Sequence, residues 1–243
     1  MTKRAVDRPL ATRHAVVTGA SSGIGRAIAL RLAAEGAGVT AVGRDPQRLA
    51  SLTGAPGRII PVQADLTDDV ARSALVSRLS SGARVDLLVH SAGAYRRAGH
   101  TETAVDDLDV LYATNVRAPY ALTMGLLPML RAGGGDVVVI NSTILARTDG
   151  DVGLYAATQH AMRSIADSLR VAVNADGVRV CTLHLGRTAT PLQAEIFRQE
   201  GRPYPAESLL QPEDVADAVV DVVTLSARAE ATEIHLRPAE KCY

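Results

Sequence analysis

The stretch Y-A-A-T-Q-H-A, residues 155–161, contains a tyrosine and a glutamine four positions apart. Residues at this spacing lie on one face of a helix, so Tyr155 and Gln159 can reach the same site. A phenol can give up or take a proton, whereas a carboxamide donates hydrogen bonds without carrying charge. Alternatively, Tyr155 has only a structural role, in which its ring packs over the hydrophobic core and its hydroxyl stays in water. The role of this pair depends on the elements that position it.

A glycine-rich segment, T-G-A-S-S-G-I-G at residues 18–25, lies near the N-terminus. It follows a β-branched run and leads into a stretch with helical periodicity, the context that a dinucleotide-binding turn requires. Glycines allow a tight turn and the close approach of a pyrophosphate, whose charge the following helix N-terminus stabilises. A glycine triplet alone would also fit a plain strand-to-helix turn. We predict a dinucleotide site with contacts from Gly19, Ser21, Ser22, Gly23, Ile24 and Gly25.

The end of the second predicted strand, A-V-G-R-D, indicates which dinucleotide binds. NAD sites generally have a carboxylate at this place that binds the ribose 2'-hydroxyl, whereas this chain has Gly43 followed by Arg44. A guanidinium can bind a 2'-phosphate through two hydrogen bonds. Alternatively, Arg44 is a solvated loop charge and Asp45 binds the ribose. We predict NADP(H) as the cofactor.

Short β-branched runs alternate along the chain with longer stretches of helical periodicity. The strand-like runs lack polar alternation, which is typical of a parallel sheet covered by helices on both faces. The sequence therefore predicts a doubly wound, Rossmann-like α/β fold of about seven parallel strands, in a single domain of residues 1–243. The predicted helices cover residues 24–35, 46–52, 68–79, 105–131, 152–173 and 212–224. Residues 186–211 are too long for an ordinary connection, and we interpret them as a substrate lid.

Composition excludes several classes of protein. The 26 lysines and arginines balance 26 aspartates and glutamates, so no net charge favours a nucleic acid or an anionic membrane surface as partner. No run of eighteen apolar residues and no apolar leader is present, so we expect a cytoplasmic protein without a membrane span. Cys181 and Cys242 show no metal-ligand spacing, and we expect no metal site.

Four segments resemble the short-chain dehydrogenase/reductase family in order and spacing. The segment H-S-A-G, residues 90–93, is similar to the family's N-A-G motif, with serine in place of asparagine. Asn115 resembles the family's helix asparagine, and Ser142 precedes Tyr155 by 13 residues, the usual separation of the catalytic serine and tyrosine. The segment L-G-R-T-A-T, residues 185–190, resembles P-G-x-x-x-T, with leucine replacing proline. The resemblance covers residues 12–238 and implies further cofactor contacts from Asp65, Leu66, Ser91, Ala92, Gly93, Tyr155, Gln159, Gly186, Thr188 and Thr190.

The resemblance also implies roles for the reactive residues. Tyr155 would be the general acid/base for hydride transfer, Ser142 would hold the carbonyl oxygen, and Asn115 would anchor a water relay. The family has a lysine four residues after the tyrosine, which binds the nicotinamide ribose and lowers the tyrosine pKa, whereas this chain has Gln159. A unit charge about 5 Å from the phenol oxygen, at an effective dielectric of about 20, contributes roughly 3 kcal/mol or about two pKa units. Without that charge Tyr155 should stay protonated, which favours carbonyl reduction over alcohol oxidation.

Three arginines and one histidine near these motifs have open roles. Arg187 either contacts substrate or cofactor or lies on the surface. Arg96 and Arg97 either line the entrance at the C-terminal edge of the sheet or lie in a solvated loop. His160 lies about 100° around the helix from Gln159, so we expect it to face a neighbouring helix and not the cofactor.

We expect an NADPH-dependent reductase that acts on the carbonyl of a small ketone or aldehyde. The alternatives are a dinucleotide-binding protein with little turnover, such as an NADPH sensor or a partner subunit, and an enzyme with another reaction, such as reduction of a double bond or an elimination. The apolar side chains of the lid suggest an apolar substrate, although they could instead pack the lid onto the protein. These side chains are Leu192, Ile196, Phe197 and Tyr204.

The family resemblance further implies a homodimer or homotetramer, paired through the predicted helices 105–131 and 152–173. A stripe at helical spacing on the second of these helices could face either a partner or the sheet. The stripe consists of Ala157, Ala161, Ile165, Leu169 and Ala172.

Overall fold

The computed structural model describes residues 9–82, 84–147 and 149–240. The predicted architecture is confirmed, with seven parallel strands in one sheet and helices on both faces. The strands are β1 His14–Thr18, β2 Gly38–Gly43, β3 Arg58–Gln63, β4 Leu87–His90, β5 Asp136–Ser142, β6 Arg179–Leu185 and β7 Glu233–Leu236. The helices are α1 Gly23–Ala34, α2 Pro46–Ala50, α3 Asp69–Ser80, α4 Val105–Tyr112, α5 Ala118–Gly133, α6 Gly153–Val173, α7 Pro191–Gln199 and α8 Pro212–Val223.

The order of the strands in the sheet is β3-β2-β1-β4-β5-β6-β7. The direction of winding reverses between β1 and β4, which leaves a crevice at the C-terminal ends of these two strands. In open parallel sheets, ligands bind at such a switch point. The fold therefore places the glycine-rich segment after β1 and the segment 90–93 after β4 on either side of one crevice.

Two apolar layers enclose the sheet, because successive residues of each strand point to opposite faces. One layer contains α1 and α8, whose Ile28, Leu32 and Val219 are fully buried. The other contains α3, α5 and α6, with Leu122 and Leu126 of α5 fully buried. Because helices cover both faces, the strands have the near-continuous hydrophobic runs that predicted a parallel sheet.

Two predicted segments differ from the structure. The predicted helix 105–131 is interrupted by a π-helical turn, Ala113–Arg117, between α4 and α5. Such turns carry one extra residue and occur frequently at functional sites, and this one contains Asn115. The predicted lid is not irregular throughout, because it contains α7, and Thr190 caps the helix by accepting a hydrogen bond from the Gln193 N–H at 3.1 Å.

The predicted stripe on α6 is divided: Ile165 and Leu169 pack against the apolar layer of α3, α5 and α6, whereas the alanines at its two ends do not. The buried side chains of α6 include Thr158, Gln159 and Met162, whereas Ala157 and Ala172 are exposed. Cys181 is buried, and desolvation raises the pKa of its thiol to about 12, so it is inert. Cys242 lies outside the described residues. None of the helices in the described ranges is long and apolar enough to span a bilayer.

Candidate active site

The glycine-rich segment forms a cradle between β1 and α1. Gly19 and Gly23 have φ values of +67° and +51°, which favour glycine, and a Cβ at Gly25 would overlap the carbonyl oxygen of Gly19. The side chain of Ser22, the N-cap of α1, makes no capping hydrogen bond to the first turn. The backbone N–H groups of the first turn of α1 therefore remain available, and a bound phosphate can accept hydrogen bonds from them. Ser21, Ile24 and the three glycines occupy the positions that the sequence predicted.

A side chain of β1 ties the two sides of the crevice together. The Thr18 hydroxyl oxygen accepts hydrogen bonds from the Ser91 N–H at 3.0 Å and the Ala92 N–H at 3.1 Å. A Cβ at Gly19 would lie 2.7 Å from the Ser91 carbonyl oxygen, so only glycine fits this approach. Ser91 and Ala92, for which the sequence predicts cofactor contacts, thus lie against the cradle, and Gly93 follows them at the exposed edge.

Arg44 and Asp65 lie together at the end of β2. Arg44 is exposed, and its charge helps lower the pKa of Asp65, which hydrogen bonds from Thr67 lower more strongly. Leu66 beside them is buried. The Asp45 carboxylate has another task, because its Oδ1 accepts from the N–H groups of Gln47 and Arg48, both at 3.0 Å, and so caps α2.

The role of Asp45 bears on the choice of dinucleotide. Its other carboxylate oxygen, Oδ2, lies 3.1 Å from the Arg48 Nε. Because both oxygens of Asp45 are engaged within its own helix, the ribose-binding alternative for this residue loses support. Arg44 has no carboxylate in contact with it at ion-pair distance in the described ranges, which leaves its guanidinium available to a ligand.

Asn115 connects three segments of the site. Its Oδ1 accepts from the Ala94 N–H at 2.7 Å, and its Nδ2 donates to the Ala94 carbonyl at 2.9 Å and to the Thr158 hydroxyl at 3.0 Å. Thr158 in turn donates to the carbonyl of Tyr155 at 2.7 Å. The Asn115 side chain is therefore a positioning group that holds the loop after β4 against the helix that carries Tyr155.

Ser142 and Tyr155 meet at the C-terminal end of β5. The Ser142 hydroxyl lies close enough to the phenol of Tyr155 to influence its pKa. The Ser142 oxygen accepts a hydrogen bond from the Ile144 N–H at 3.2 Å. Tyr155 as a residue is only partly buried, but desolvation of its hydroxyl raises the pKa of the phenol to about 12, against the opposing effect of the nearby Ser142 hydroxyl. No positively charged side chain in the described ranges acts on this pKa. The phenol is therefore neutral at pH 7.

Gln159 lies one turn after Tyr155 on α6 and is only 8% exposed. Its backbone carbonyl accepts from the Asn141 Nδ2 at 3.1 Å, but its carboxamide has no hydrogen-bond partner within the described ranges. The carboxamide atoms are not fully enclosed, so a hydroxyl-rich ligand such as a ribose can hydrogen-bond to them. The residues around the crevice thus fit a nicotinamide dinucleotide, with a phosphate cradle at α1 and an open hydrogen-bond donor one turn after Tyr155.

The segment after β6 closes the crevice from the opposite side. The Gly186 N–H donates to the Leu236 carbonyl at 2.7 Å, and the buried Thr188 donates from its hydroxyl to the Gly186 carbonyl at 3.1 Å. Thr190 approaches the glycine cradle, since a Cβ at Gly23 would lie 3.2 Å from its Cγ2. Thr190 is therefore adjacent to both the cradle and α7, whereas Gly186 and Thr188 lie between it and β6.

Tyr95 is a residue of the site that the sequence reasoning missed. Its ring meets that of Tyr155 edge-on, with centroids 5.0 Å apart. Desolvation raises the pKa of its phenol, and the nearby guanidinium of Arg97 opposes this shift. Its position two residues after the segment 90–93 was a usable signal, because that segment enters the crevice.

Arg97 and Arg187 are joined by a buried carboxylate of the lid, Glu200. Arg187 contacts Glu200 at 2.6 Å, and Arg97 lies 3.6 Å from Glu200 and 2.6 Å from Asp151. Arg187 also stacks 4.5 Å from the ring centre of Phe197. Arg97 is therefore not a purely solvated loop residue, and Arg187 binds Glu200 and Phe197 of the segment that follows β6.

A cleft of about 390 Å³ opens beside Tyr95 and α7. Arg96, Arg97 and Glu195 form part of its wall, so the arginine pair lines the entrance. The apolar contribution comes from Leu192 and Ile196. Phe197 is fully buried against Tyr204, at 5.6 Å between ring centres, and packs the lid down instead of meeting a substrate. His160, for which the sequence predicts contact with a neighbouring helix, is instead exposed on α6.

Comparison with known proteins agrees with this geometry. The profile of the short chain dehydrogenase family matches residues 13–201. An uncharacterized oxidoreductase of Staphylococcus epidermidis is 30% identical over 233 residues, covering 92% of this chain and 96% of that protein.

Two solved structures with NADP are similar throughout. A putative NAD(P)-dependent gluconate 5-dehydrogenase of Beutenbergia cavernae is 31% identical, with a TM-score of 0.84 and coverage of 93% of this chain and 95% of that one. A 3-oxoacyl-(acyl-carrier-protein) reductase of Agrobacterium tumefaciens is 27% identical, with a TM-score of 0.83 and coverage of 96% of each chain. The chain is thus an oxidoreductase that belongs to the short-chain dehydrogenase/reductase family.

Proposed function

We propose that this chain is an NADPH-dependent reductase that acts on the carbonyl of a small ketone or aldehyde. The observation that carries the proposal is the neutral phenol of Tyr155 beside Ser142: burial raises the pKa of this phenol to about 12, and no cation among the described residues lowers it. Carbonyl reduction consumes a proton, so a protonated phenol is the required form, whereas alcohol oxidation needs a base. NADPH, when bound, supplies the hydride.

The residues around Tyr155 provide the remaining steps. Ser142 donates a hydrogen bond to the carbonyl oxygen, and Tyr155 transfers its proton to that oxygen as negative charge develops on it. The Asn115 hydrogen bonds to Ala94 and Thr158 fix the loop after β4 relative to the helix that carries Tyr155. A water relay that returns the proton to Tyr155 past Asn115 is part of the proposal. Gln159 donates a hydrogen bond to the nicotinamide ribose without lowering the Tyr155 pKa.

The preference for NADPH is supported by the end of β2. Arg44 is exposed beside Asp65, and Asp45 caps α2. Arg44 therefore binds the 2'-phosphate in the proposed complex, and Asp65 and Leu66 contact the adenine. Gly186 and Thr188 border the nicotinamide, and Thr190 holds its carboxamide.

The cleft supports a substrate with both apolar and polar parts, in place of the apolar compound expected from the lid sequence. Leu192 and Ile196 are the apolar part of its wall, whereas Tyr95, Arg96 and Arg97 are polar. We place the carbonyl of the substrate at Tyr155 and its polar portion towards these three residues. The proposal also includes a lid role for residues 186–211, a homodimer or homotetramer in the cytoplasm, and no nucleic-acid or membrane partner.

The second candidate is a dinucleotide-binding protein with little turnover, such as an NADPH sensor. Gln159 favours it, because its carboxamide can hold the ribose but cannot supply the charge that strengthens an acid. Ser142 and Tyr155 argue against this second candidate, since a binding protein has no need for their two neighbouring hydroxyls at the crevice.

The test combines cofactor binding with turnover. Titration with NADPH and NADH, followed by nucleotide fluorescence, should give tight binding of NADPH and weaker binding of NADH. A series of ketones and aldehydes of graded polarity is then supplied with NADPH, using the unaltered chain and Tyr155→Phe. We expect Tyr155→Phe to bind NADPH normally and to lose about 10²–10⁴-fold in reduction rate, the usual contribution of a general acid. Equal rates in both proteins would refute the mechanism, and binding without any turnover would favour the sensor.

A further inference from the structure

We propose that His184, Glu233 and His235 form a binding site for a borderline divalent cation such as Zn²⁺. This site is separate from the nicotinamide crevice. It lies on the last two strands of the sheet, where β6 and β7 pair in parallel with His184 opposite His235 and Thr182 opposite Glu233. Side chains of residues two apart point to the same face of a strand. The register therefore places two imidazoles and one carboxylate on one face of the sheet.

The donor atoms of these three residues converge. One ligand atom from each residue can be chosen so that all lie within 4.8 Å of one another. The His184 Nε2 is 3.3 Å from the Glu233 Oε1, and the His235 Nε2 is 4.0 Å from the Glu233 Oε2. Ligands about 2.0–2.2 Å from a tetrahedral zinc are roughly 3.3–3.6 Å apart, as follows from the bond lengths. One pair already has this separation.

The His235–Glu233 separation is longer than in a zinc site, and His235 is the residue best able to move closer. The side chain of His235 is 62% exposed, whereas that of His184 is 1% exposed and fixed in the sheet. The two rings are stacked, with centroids 4.5 Å apart and an interplanar angle of 21°. A rotation of the exposed His235 side chain would direct its Nε2 towards a cation that the other two donors bind. Two imidazoles and a carboxylate are a ligand set that zinc and its neighbours in the first transition series accept.

The main competitor for the carboxylate is Arg163 on α6. Its Nε and Nη2 bond to the two Glu233 oxygens at 2.8 and 3.3 Å, which orients the carboxylate towards the histidines. The Arg163 side chain is 43% exposed, and its Nε also lies 3.9 Å from Asp167 Oδ2. Arg163 can therefore turn to Asp167 when Glu233 binds a cation. Water would complete the coordination on the exposed side at His235.

The ion would hold the edge strand β7 to β6, the strand that leads into Gly186 and the nicotinamide segment. Sequence spacing alone does not reveal such a site, because His184 and Glu233 are 49 positions apart. The inference does not depend on the proposed reductase activity, since it concerns binding and stability.

The probe is Zn²⁺ itself, titrated by calorimetry into chelator-treated protein without a histidine tag. All proteins carry Cys242→Ser, so that this thiol cannot bind the metal. We expect one Zn²⁺ per chain, a raised Tm in its presence, and a loss of at least about tenfold in affinity in His235→Ala, since even indirect partners of a metal contribute that much. His160→Ala, which removes an exposed imidazole elsewhere, should leave the affinity unchanged.

Arg163→Gln provides a second measurement that a purely structural role of the cluster would not predict. Removing the competing guanidinium should raise the affinity for Zn²⁺ several-fold, and binding of Co²⁺ should produce visible absorption that His235→Ala removes. Absence of stoichiometric binding would overturn the proposal. Binding that is equally strong in His235→Ala would also overturn it, because the ion would then lie elsewhere.

Discussion

The ring of Tyr95 packs edge-on against the ring of Tyr155, with the two centroids 5.0 Å apart. This contact links the loop after β4 to the residue that carries the reactive hydroxyl. The hydroxyl of Tyr95 lies near Arg97, which is 3.6 Å from Glu200 just after α7. Tyr95 and Arg97 therefore connect the ring of Tyr155 to the segment that follows β6.

Replacement of Tyr95 separates its ring from its hydroxyl. Tyr95→Phe keeps the contact with Tyr155 and removes the hydroxyl near Arg97 in the wall of the cleft, so we expect a raised KM with nearly unchanged kcat. Tyr95→Ala also removes the edge-on contact, which is worth about 0.5–1.5 kcal/mol, and should lower kcat about two- to tenfold. Steady-state kinetics of the two variants, with a substrate found in the ketone series, measure this difference. Identical kinetics of both variants and the unaltered chain would show that Tyr95 only lines the cleft.

A lysine at position 159 should restore the charge that this site lacks. In Gln159→Lys we expect the pKa of Tyr155, which is about 12, to fall by about two units, because of a unit charge at about 5 Å and an effective dielectric of about 20. Alcohol oxidation with NADP⁺ should then become faster near pH 9–10. The pH dependence of the oxidation rate is the measurement, and Gln159→Met, which has similar size and no charge, is the control. An equal gain in Gln159→Met would show that charge is not the cause.

Removal of the Arg44 guanidinium should weaken NADPH binding selectively. Hydrogen bonds to charged groups contribute about 1.5–3 kcal/mol, so Arg44→Ala should lose about 10- to 100-fold in affinity for NADPH and little for NADH. The matched control is Arg48→Ala, because Arg48 is exposed nearby and pairs with Asp45. Fluorescence titration with both nucleotides measures the ratio. An unchanged ratio in Arg44→Ala would exclude Arg44 from the 2'-phosphate site.

Burial of His90 predicts a loss of stability in acid. The ring bonds through Nε2 to the Thr123 hydroxyl at 2.7 Å, and desolvation lowers its pKa from 6.5 to about 4. Between these values the unfolded chain binds a proton that the folded chain does not, so the free energy of unfolding falls as the pH decreases from about 6.5 to 4. The shift corresponds to a contribution on the order of 3 kcal/mol. His14 and His184, whose pKa values are also lowered mainly by desolvation, act in the same direction.

Urea denaturation at several pH values measures the contribution of His90. His90→Asn should flatten the dependence of the unfolding free energy on pH between 4 and 6.5, while His160→Asn, on the exposed face of α6, should not. If the slope in His90→Asn equals that of the unaltered chain, the other buried histidines account for the acid sensitivity.

The fold and the glycine turn between β1 and α1 could be predicted because they depend on local rules. Parallel strands buried on both faces need continuous apolar runs, and a turn that approaches a phosphate needs glycine at Gly19, Gly23 and Gly25. The spacing of Ser142, Tyr155 and Gln159 was enough to predict that they share one site. Ser142 lies at the end of one strand, and the other two residues lie on one face of one helix. The interruption at Asn115 was missed because a π-helical turn leaves the apolar periodicity of its helices nearly unchanged.

Other features were decided only by the tertiary structure. Tyr95 meets Tyr155, Arg97 and Arg187 share Glu200, and His184 lies beside Glu233 and His235, although long stretches of chain separate these residues. The amino-acid sequence determined which groups can ionise, donate or bind. The tertiary structure decided which of these groups are desolvated and which are adjacent. Electrostatic energy depends on the local dielectric and on the distance between groups. Desolvation therefore sets the pKa of Tyr155, and the distances between donor atoms set the position of the proposed cation site.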